Sequence, residues 1–161
     1  MSKPSAARTA HLRDPFLLLA LGLGSGLVRR GPGTAGTVVG VGLYILIAPL
    51  PAGAVFAITA AVVLAGIPLC GYAAGRLGVH DDPAIVWDEI AGYLVTLLLL
   101  PFDVLWILAG FVLFRILDIA KPWPIGWLDR RLGGGTGIMA DDIVAGAFAC
   151  LLLHAARVAV A

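Results

Sequence analysis

Seven side chains carry most of the chemistry this sequence could perform. Asp88 and Glu89 are neighbours, Asp141 and Asp142 are neighbours, and Arg115, Asp118 and Lys121 lie between the two pairs. Carboxylates without a matching cysteine and histidine set suit a hard, oxygen-seeking cation such as Mg²⁺ and disfavour zinc. Arginine and lysine supply fixed positive charge for phosphate oxygens. Arg115 and Asp118 are three apart, so a helix places them on one face.

The two acid pairs share a pattern. Residues 87–92 read W-D-E-I-A-G and residues 140–146 read A-D-D-I-V-A-G, so a glycine follows an acid by four residues in both (Asp88/Gly92, Asp142/Gly146). On a helix that spacing puts the carboxylate beside a point of close backbone approach. Two such helices pressed together would bring their oxygens within reach of one cation. For any single acid the helix dipole explains a place in the first turn equally well. Five acids at one surface (Asp88, Glu89, Asp118, Asp141 and Asp142) are better explained by pairing or ligation, because ionisable groups at the ends of apolar helices are costly.

Two glycine-rich stretches could cradle a phosphate with backbone N–H groups. Gly31 to Thr37 (G-P-G-T-A-G-T) opens a helix expected near residue 34, with Gly33 and Thr34 as candidate contacts, and Gly133 to Gly137 could act likewise. Either could equally be a plain turn, and no G-x-x-x-x-G-K-[ST] pattern is present. His80, beside Asp81 and Asp82, is either a general acid or base or a loop residue supporting the site. His11 and His154 read as incidental. Trp87, Trp123 and Trp127 flank the charged region as interfacial aromatics do, and Asp129 beside Arg130 and Arg131 reads as a solvated charge pair.

The elements that must position these groups are apolar. Of 161 residues 60% are hydrophobic and 13% charged, with a mean hydropathy of +1.00, against about 45–50% and about 25% in ordinary globular domains. This is the composition of an integral membrane protein. The net charge of +1 gives no reason to expect a nucleic-acid partner. Cys70 and Cys150 lie in apolar runs as small hydrophobes, with no disulfide framework. The expected architecture is an all-α membrane bundle of four to five spans, with a short interfacial or re-entrant helix over 16–28. Residues 1–14 read as a disordered basic tail and 15–161 as one domain.

Apolar runs at 38–49, 52–74, 83–100, 104–120 and 143–161 are separated by two short breaks, 49–51 and 100–103, and by longer polar segments. If each run crosses once, segments 29–37, 76–89 and 115–142 share one side. They hold Arg29, Arg30, Arg76, Arg115, Lys121, Arg130 and Arg131, which makes that side cytoplasmic by the positive-inside rule.

The ordered set of motifs is that of a known family. It runs through G-S-G at 24–26, P-G-T at 32–34, V-H-D at 79–81 and I-V-W-D-E at 85–89. It continues with F-R-I-L-D at 114–118, K-P-W-P-I at 121–125, G-I-M at 137–139 and D-D-I-V-A-G at 141–146. Over nearly the whole chain past residue 15 the sequence resembles the phosphatidylglycerophosphatase A family of bacterial membrane phosphatases. Thr37 stands where that family often has serine, which keeps the hydroxyl. The resemblance implies Mg²⁺-dependent hydrolysis of phosphatidylglycerophosphate to phosphatidylglycerol and phosphate in a bacterial (inner) membrane, and the charge bias above puts the expected site at its cytoplasmic face. It implies Asp88, Glu89, Arg115, Asp118, Lys121, Asp141 and Asp142 as functional residues without assigning their individual roles.

The physical logic agrees, since a carboxylate cluster would repel a phosphate dianion without a cation between them. Direct attack by water is favoured over a phosphoenzyme, because no D-x-D-x-[TV] or C-x5-R motif is present, although Asp118 or Asp142 could serve as a nucleophile. A divalent-cation channel or transporter is the rival reading, but it would want its acids near mid-bilayer. The CDP-alcohol phosphatidyltransferase motif is absent. Membrane lipids are the expected surroundings, and oligomeric state is left open.

Overall fold

Prolines, glycines and two aspartates set the helix boundaries. Asp14 caps α1 (Pro15–Ala20), accepting from the backbone N–H groups of Phe16 and Leu17 at 2.9 and 3.3 Å. The chain then turns through Leu23 and Gly24, both at positive φ, within a 3-10 stretch, Gly22–Leu27. Gly31, left-handed at φ 68°, precedes α2 (Pro32–Ile47), and α3 (Ala52–Leu77) ends on left-handed Gly78. The central element is α4 (Trp87–Thr96). Asp103 caps α5 (Val104–Ala120) through the Leu105 N–H at 2.7 Å, and that helix stops where Lys121 turns left-handed. A short α6 (Ile125–Arg131) leads to α7 (Gly134–Val160). This computed structural model describes residues 5–160, without the side chains of Asp129, Arg130 and Val160, and no strand occurs among the described residues.

Seven of the ten residues of α4 are buried and none is exposed, because α2, α3, α5 and α7 surround it. One apolar core joins α1, α3 and the start of α7 through Leu17, Leu69, Cys70 and Met139. The other joins α2, α4, α5 and α7 around Tyr44, Tyr93, Phe114 and Leu153, where the Tyr93 hydroxyl donates to the Ile107 carbonyl at 2.9 Å. Burial of that hydroxyl is tolerable only with such a partner.

The all-helical expectation is met. Among the described residues, α3 and α7 are long and apolar enough to cross a bilayer. By contrast α2, α4 and α5 have 16, 10 and 17 residues, or about 24, 15 and 26 Å of helix, each short of a core of about 30 Å.

Several boundaries differ from those read in the sequence. Helix α2 starts at Pro32, not near 34 or 38. The apolar run 83–100 is helical only over Trp87–Thr96, and Leu99 takes a positive φ. Helix α7 starts nine residues before Ile143, at Gly134, so Asp141 and Asp142 lie two turns inside it and cannot be first-turn dipole partners. Part of the expected tail, residues 5–14, packs onto the helices. Residues Thr9–Arg13 form a 3-10 turn, and Ser5 Oγ and the Ala6 N–H donate to the fully buried Asp82 at 2.5 and 2.6 Å. A buried carboxylate needs such donors, which fixes the segment. Residues 1–4, the rest of the expected tail, and the pairing of Asp129 with its arginines lie outside the described residues.

Candidate active site

Helices α4 and α7 meet backbone to backbone. A Cβ on Gly146 would run into the Gly92 carbonyl, and one on Gly92 would come 2.7 Å from the Asp142 carbonyl oxygen. Only glycine allows this approach, and one turn earlier on each helix stand Asp88 and Asp142. The acid-to-glycine spacing therefore does what it implied. Oxygens of Asp88, Glu89 and Asp142 lie within 4.8 Å of one another, and a second group, Asp118, Asp141 and Asp142, meets the same limit.

The two groups differ in their partners. Asp88 and Asp142 are 8% and 3% exposed, and Asp88 Oδ1, Glu89 Oε2 and Asp142 Oδ2 are buried with no hydrogen-bond partner among the described residues. Asp118 instead has Arg115 Nη1 2.5 Å from its Oδ2, one turn back on α5. Asp141 accepts from Lys121 Nζ at 2.6 Å. The left-handed turn at Lys121 ends α5 and leaves the lysine across from α7. Arg115 Nη1 also lies 3.8 Å from Glu89 Oε1, and both Nη1 and Nε are buried without an aligned hydrogen bond, so Arg115 meets Asp118 and Glu89 as a charge contact.

These groups line one cavity of about 240 Å³. All seven chemistry-bearing residues singled out in the sequence reach it, and so do His80 and Asp81. Gly31, Pro32 and Gly33 form the opposite wall. A Cβ at Gly33 would collide with the Glu89 carboxylate and lie 3.2 Å from Arg115 Nη1, so the start of α2 closes over the charged groups only because position 33 is bare. Thr34 is exposed and does not line the cavity.

The second glycine stretch is not a loop. Gly134 to Gly137 form the first turn of α7, and Gly135 lies against the Ile67 carbonyl of α3, where a side chain could not fit. Only Gly137 of that stretch lines the cavity. His80 is an exposed loop residue whose Nε2 accepts from the Gly134 N–H at 2.7 Å, so it supports the start of α7. The sequence marks Asp82 only as a loop acid before Pro83. One of its donors is local, the Ala84 N–H at 2.9 Å, but the two that bury it lie 76 and 77 residues away, and together they fix the loop that carries His80 and Asp81.

Six carboxylates, counting Asp81 at the loop, therefore share a partly buried cavity with Arg115 and Lys121, and three of the carboxylate oxygens have no hydrogen-bond partner among the described residues. An uncompensated buried carboxylate is strongly unfavourable, so the arrangement calls for an added cation. Its oxygen-only donor set is of the kind magnesium takes.

The comparisons with known proteins agree with this geometry. The family description Phosphatidylglycerophosphatase A matches residues 18–157. Phosphatidylglycerophosphatase A of Escherichia coli is 44% identical over 153 residues, covering 94% of this chain and 89% of the relative. The Haemophilus influenzae protein of the same name is 40% identical over 157 residues, covering 96% of each. A Bacteroides thetaiotaomicron protein provisionally named phosphatidylinositol-3-phosphatase is 37% identical, covering 90% of this chain and 96% of its own. No solved structure matches. The resemblance carried by the motifs is borne out, and the chain belongs to the phosphatidylglycerophosphatase A family.

Proposed function

We propose that this chain is a Mg²⁺-dependent phosphatase that removes the terminal phosphomonoester of phosphatidylglycerophosphate, giving phosphatidylglycerol and inorganic phosphate. One observation carries the reading: three buried, unpartnered carboxylate oxygens share a cavity with Arg115 and Lys121. The substrate is supported by the names of the Escherichia coli and Haemophilus influenzae relatives. The Bacteroides relative is named for a different lipid phosphomonoester, so the bond type is common to all three.

In this reading Asp88, Glu89 and Asp142 hold the cation, and Asp118 and Asp141 serve chiefly to hold the two bases toward the cavity. Bound there, magnesium would neutralise the carboxylates and polarise the phosphoryl group toward attack by water. Arg115 has an unpartnered buried Nε to offer a phosphoryl oxygen, and with Lys121 it stabilises charge on the equatorial oxygens. Gly33, with no side chain, lets that group approach the carboxylates closely.

The same reading places the cavity at the cytoplasmic face, with α2, α3, α5 and α7 crossing around α4 as four to five spans. A helix as short as α4 is tolerable at membrane depth because protein, not lipid, surrounds it. The test is phosphate release from phosphatidylglycerophosphate by purified protein in detergent micelles. EDTA is expected to abolish release and added Mg²⁺ to restore it. Undiminished turnover after thorough chelation would sink the metal, and turnover on phosphatidylinositol 3-phosphate alone would replace the substrate.

A further inference from the structure

A second concavity, of about 480 Å³, lies away from the acids, between α1 and α3. Phe16 and Leu19 form one wall, Pro68, Leu69 and Tyr72 the other, and Trp87 also contributes. Its polar groups are turned away or engaged. The Trp87 indole N–H donates to the Val62 carbonyl at 3.0 Å, and the Tyr72 hydroxyl donates to Asp14 Oδ2 at 2.7 Å.

Phe16 and Tyr72 also wall an adjoining shallow concavity that holds Arg13, Asp14 and Arg76. The apolar groove therefore opens directly onto a charged rim. The Arg76 guanidinium lies 5.9 Å from the Tyr72 ring centre. Both arginines are exposed, and neither has an ion pair among the described residues. Asp14 is the one acid at the rim, and its oxygens are already engaged by Tyr72, Phe16 and Leu17. The Tyr72 hydrogen bond holds its carboxyl below the usual range, so it stays ionised and turned toward its donors. Arg76 also helps to lower that carboxyl, which leaves two exposed cations against one anion at the rim.

The spacing along α3 is that of an amphiphile. Ala65, Leu69, Tyr72 and Arg76 follow one another by four, three and four residues, a single stripe. The apolar part from Ala65 to Tyr72 is about 10 Å long, with the guanidinium about 6 Å further on. A partner helix about 10 Å across running that length would fill about 800 Å³, more than the groove holds. The volume lies instead in the range of small-molecule sites, about 300–1,000 Å³.

We propose that this groove binds one anionic glycerophospholipid of the bilayer, with an acyl chain between α1 and α3 and the headgroup phosphate on Arg13 and Arg76, separately from the acid cavity. It rests on the membrane placement proposed above and not on the phosphatase reading. A zwitterionic phosphatidylcholine would bring its own cation to the arginines and lose their contribution. Basic residues near a membrane surface strengthen anionic-lipid binding by about five-fold each.

Full-length protein in detergent, titrated with phosphatidylglycerol carrying brominated acyl chains, reports contact with Trp87 by fluorescence quenching. Saturable quenching is expected, with a half-saturation about 25-fold higher for brominated phosphatidylcholine, and its saturable component should be lost in Trp87→Phe while any non-saturable quenching of the other three tryptophans stays. Arg13→Gln/Arg76→Gln should raise the half-saturation concentration about 25-fold. Ala65→Phe, which fills the groove and leaves the rim intact, should lower the amplitude. Asp142→Asn, in the other cavity, should retain the signal. Equal half-saturation for the two lipids, or an unchanged curve in the arginine variant, would overturn the proposal. So would loss of the signal in Asp142→Asn, which would put the lipid in the acid cavity. Phosphate release by the unsubstituted protein, measured on the same preparation, separates this failure from failure of the phosphatase reading.

Discussion

Asp88 and Asp118 line the same cavity, yet one has a buried oxygen with no partner and the other sits 2.5 Å from an arginine. The same contrast divides Asp142 from its neighbour Asp141, whose carboxylate is held by Lys121. Adjacent acids on one helix have thus been given different surroundings. Those at the α4–α7 crossing are left with unmet charge, which is costly in isolation and favourable with a cation. Those facing the end of α5 are already compensated, and they orient the groups that would meet a phosphate. Residue type alone makes these acids equivalent, and their partners separate them.

The largest expected effect is at the crossing. Asp88→Asn and Asp142→Asn should each lower turnover by at least about a hundredfold, the upper end of what losing a mere supporting partner of a metal ligand costs. Mg²⁺ binding, read by calorimetry, should weaken in step. Asp118→Asn and Asp141→Asn should cost about 10- to 100-fold, expressed chiefly as a raised KM because Arg115 or Lys121 is released, with Mg²⁺ affinity changing little. If Asp118→Asn weakened Mg²⁺ as strongly as Asp142→Asn, the contrast would collapse and the second triad would also be a metal seat.

A smaller effect tests the packing that creates the contrast. Gly146→Ala drives a methyl group into the Gly92 carbonyl, and overpacking of this kind costs about 1–3 kcal/mol. Its unfolding midpoint in detergent should fall, and Mg²⁺ affinity should fall with it as Asp88 and Asp142 separate. Gly42→Ala on α2, where nothing lies within 4 Å, should be neutral or slightly stabilising, since alanine is the better helix former. Equal effects at the two positions would mean the crossing does not set the site.

The crossing was legible in the sequence because an acid and a glycine four apart share a helical face wherever the helix begins. The charged stripe of Arg115 and Asp118 was legible for the same reason. The start of α7 was not. G-G-G-T-G has poor helix propensity and reads as a loop, but Gly135 is needed against the Ile67 carbonyl, so tertiary packing overrides propensity. With that boundary misplaced, Asp141 and Asp142 looked like first-turn acids instead of residues buried two turns into a helix. The partner of each acid was equally hidden, since Lys121 reaches Asp141 across 20 residues and Asp82 finds Ser5 across 77. Contacts between distant segments leave no periodic trace.

The smallest expected effect concerns Asp103, the acid at the far end of the helix that carries Arg115. It is exposed, and its carboxylate caps α5 through the Leu105 N–H. Asparagine caps a helix about as well as aspartate, so Asp103→Asn should leave stability, Mg²⁺ affinity and turnover nearly unchanged. Position 103 also tests the proposed membrane orientation. Eleven residues separate the start of α5 from Arg115, about 17 Å along the axis, so the two ends lie at different depths if α5 crosses. In a Cys70→Ala/Cys150→Ala background, single cysteines at positions 34, 81, 103 and 136 can be treated with an impermeant thiol reagent on intact cells. Only position 103 should react. Labelling at 34 together with 103, and not at 81 or 136, would be incompatible with the packing of Gly33 over Glu89 and Arg115, and the cavity would lose one wall.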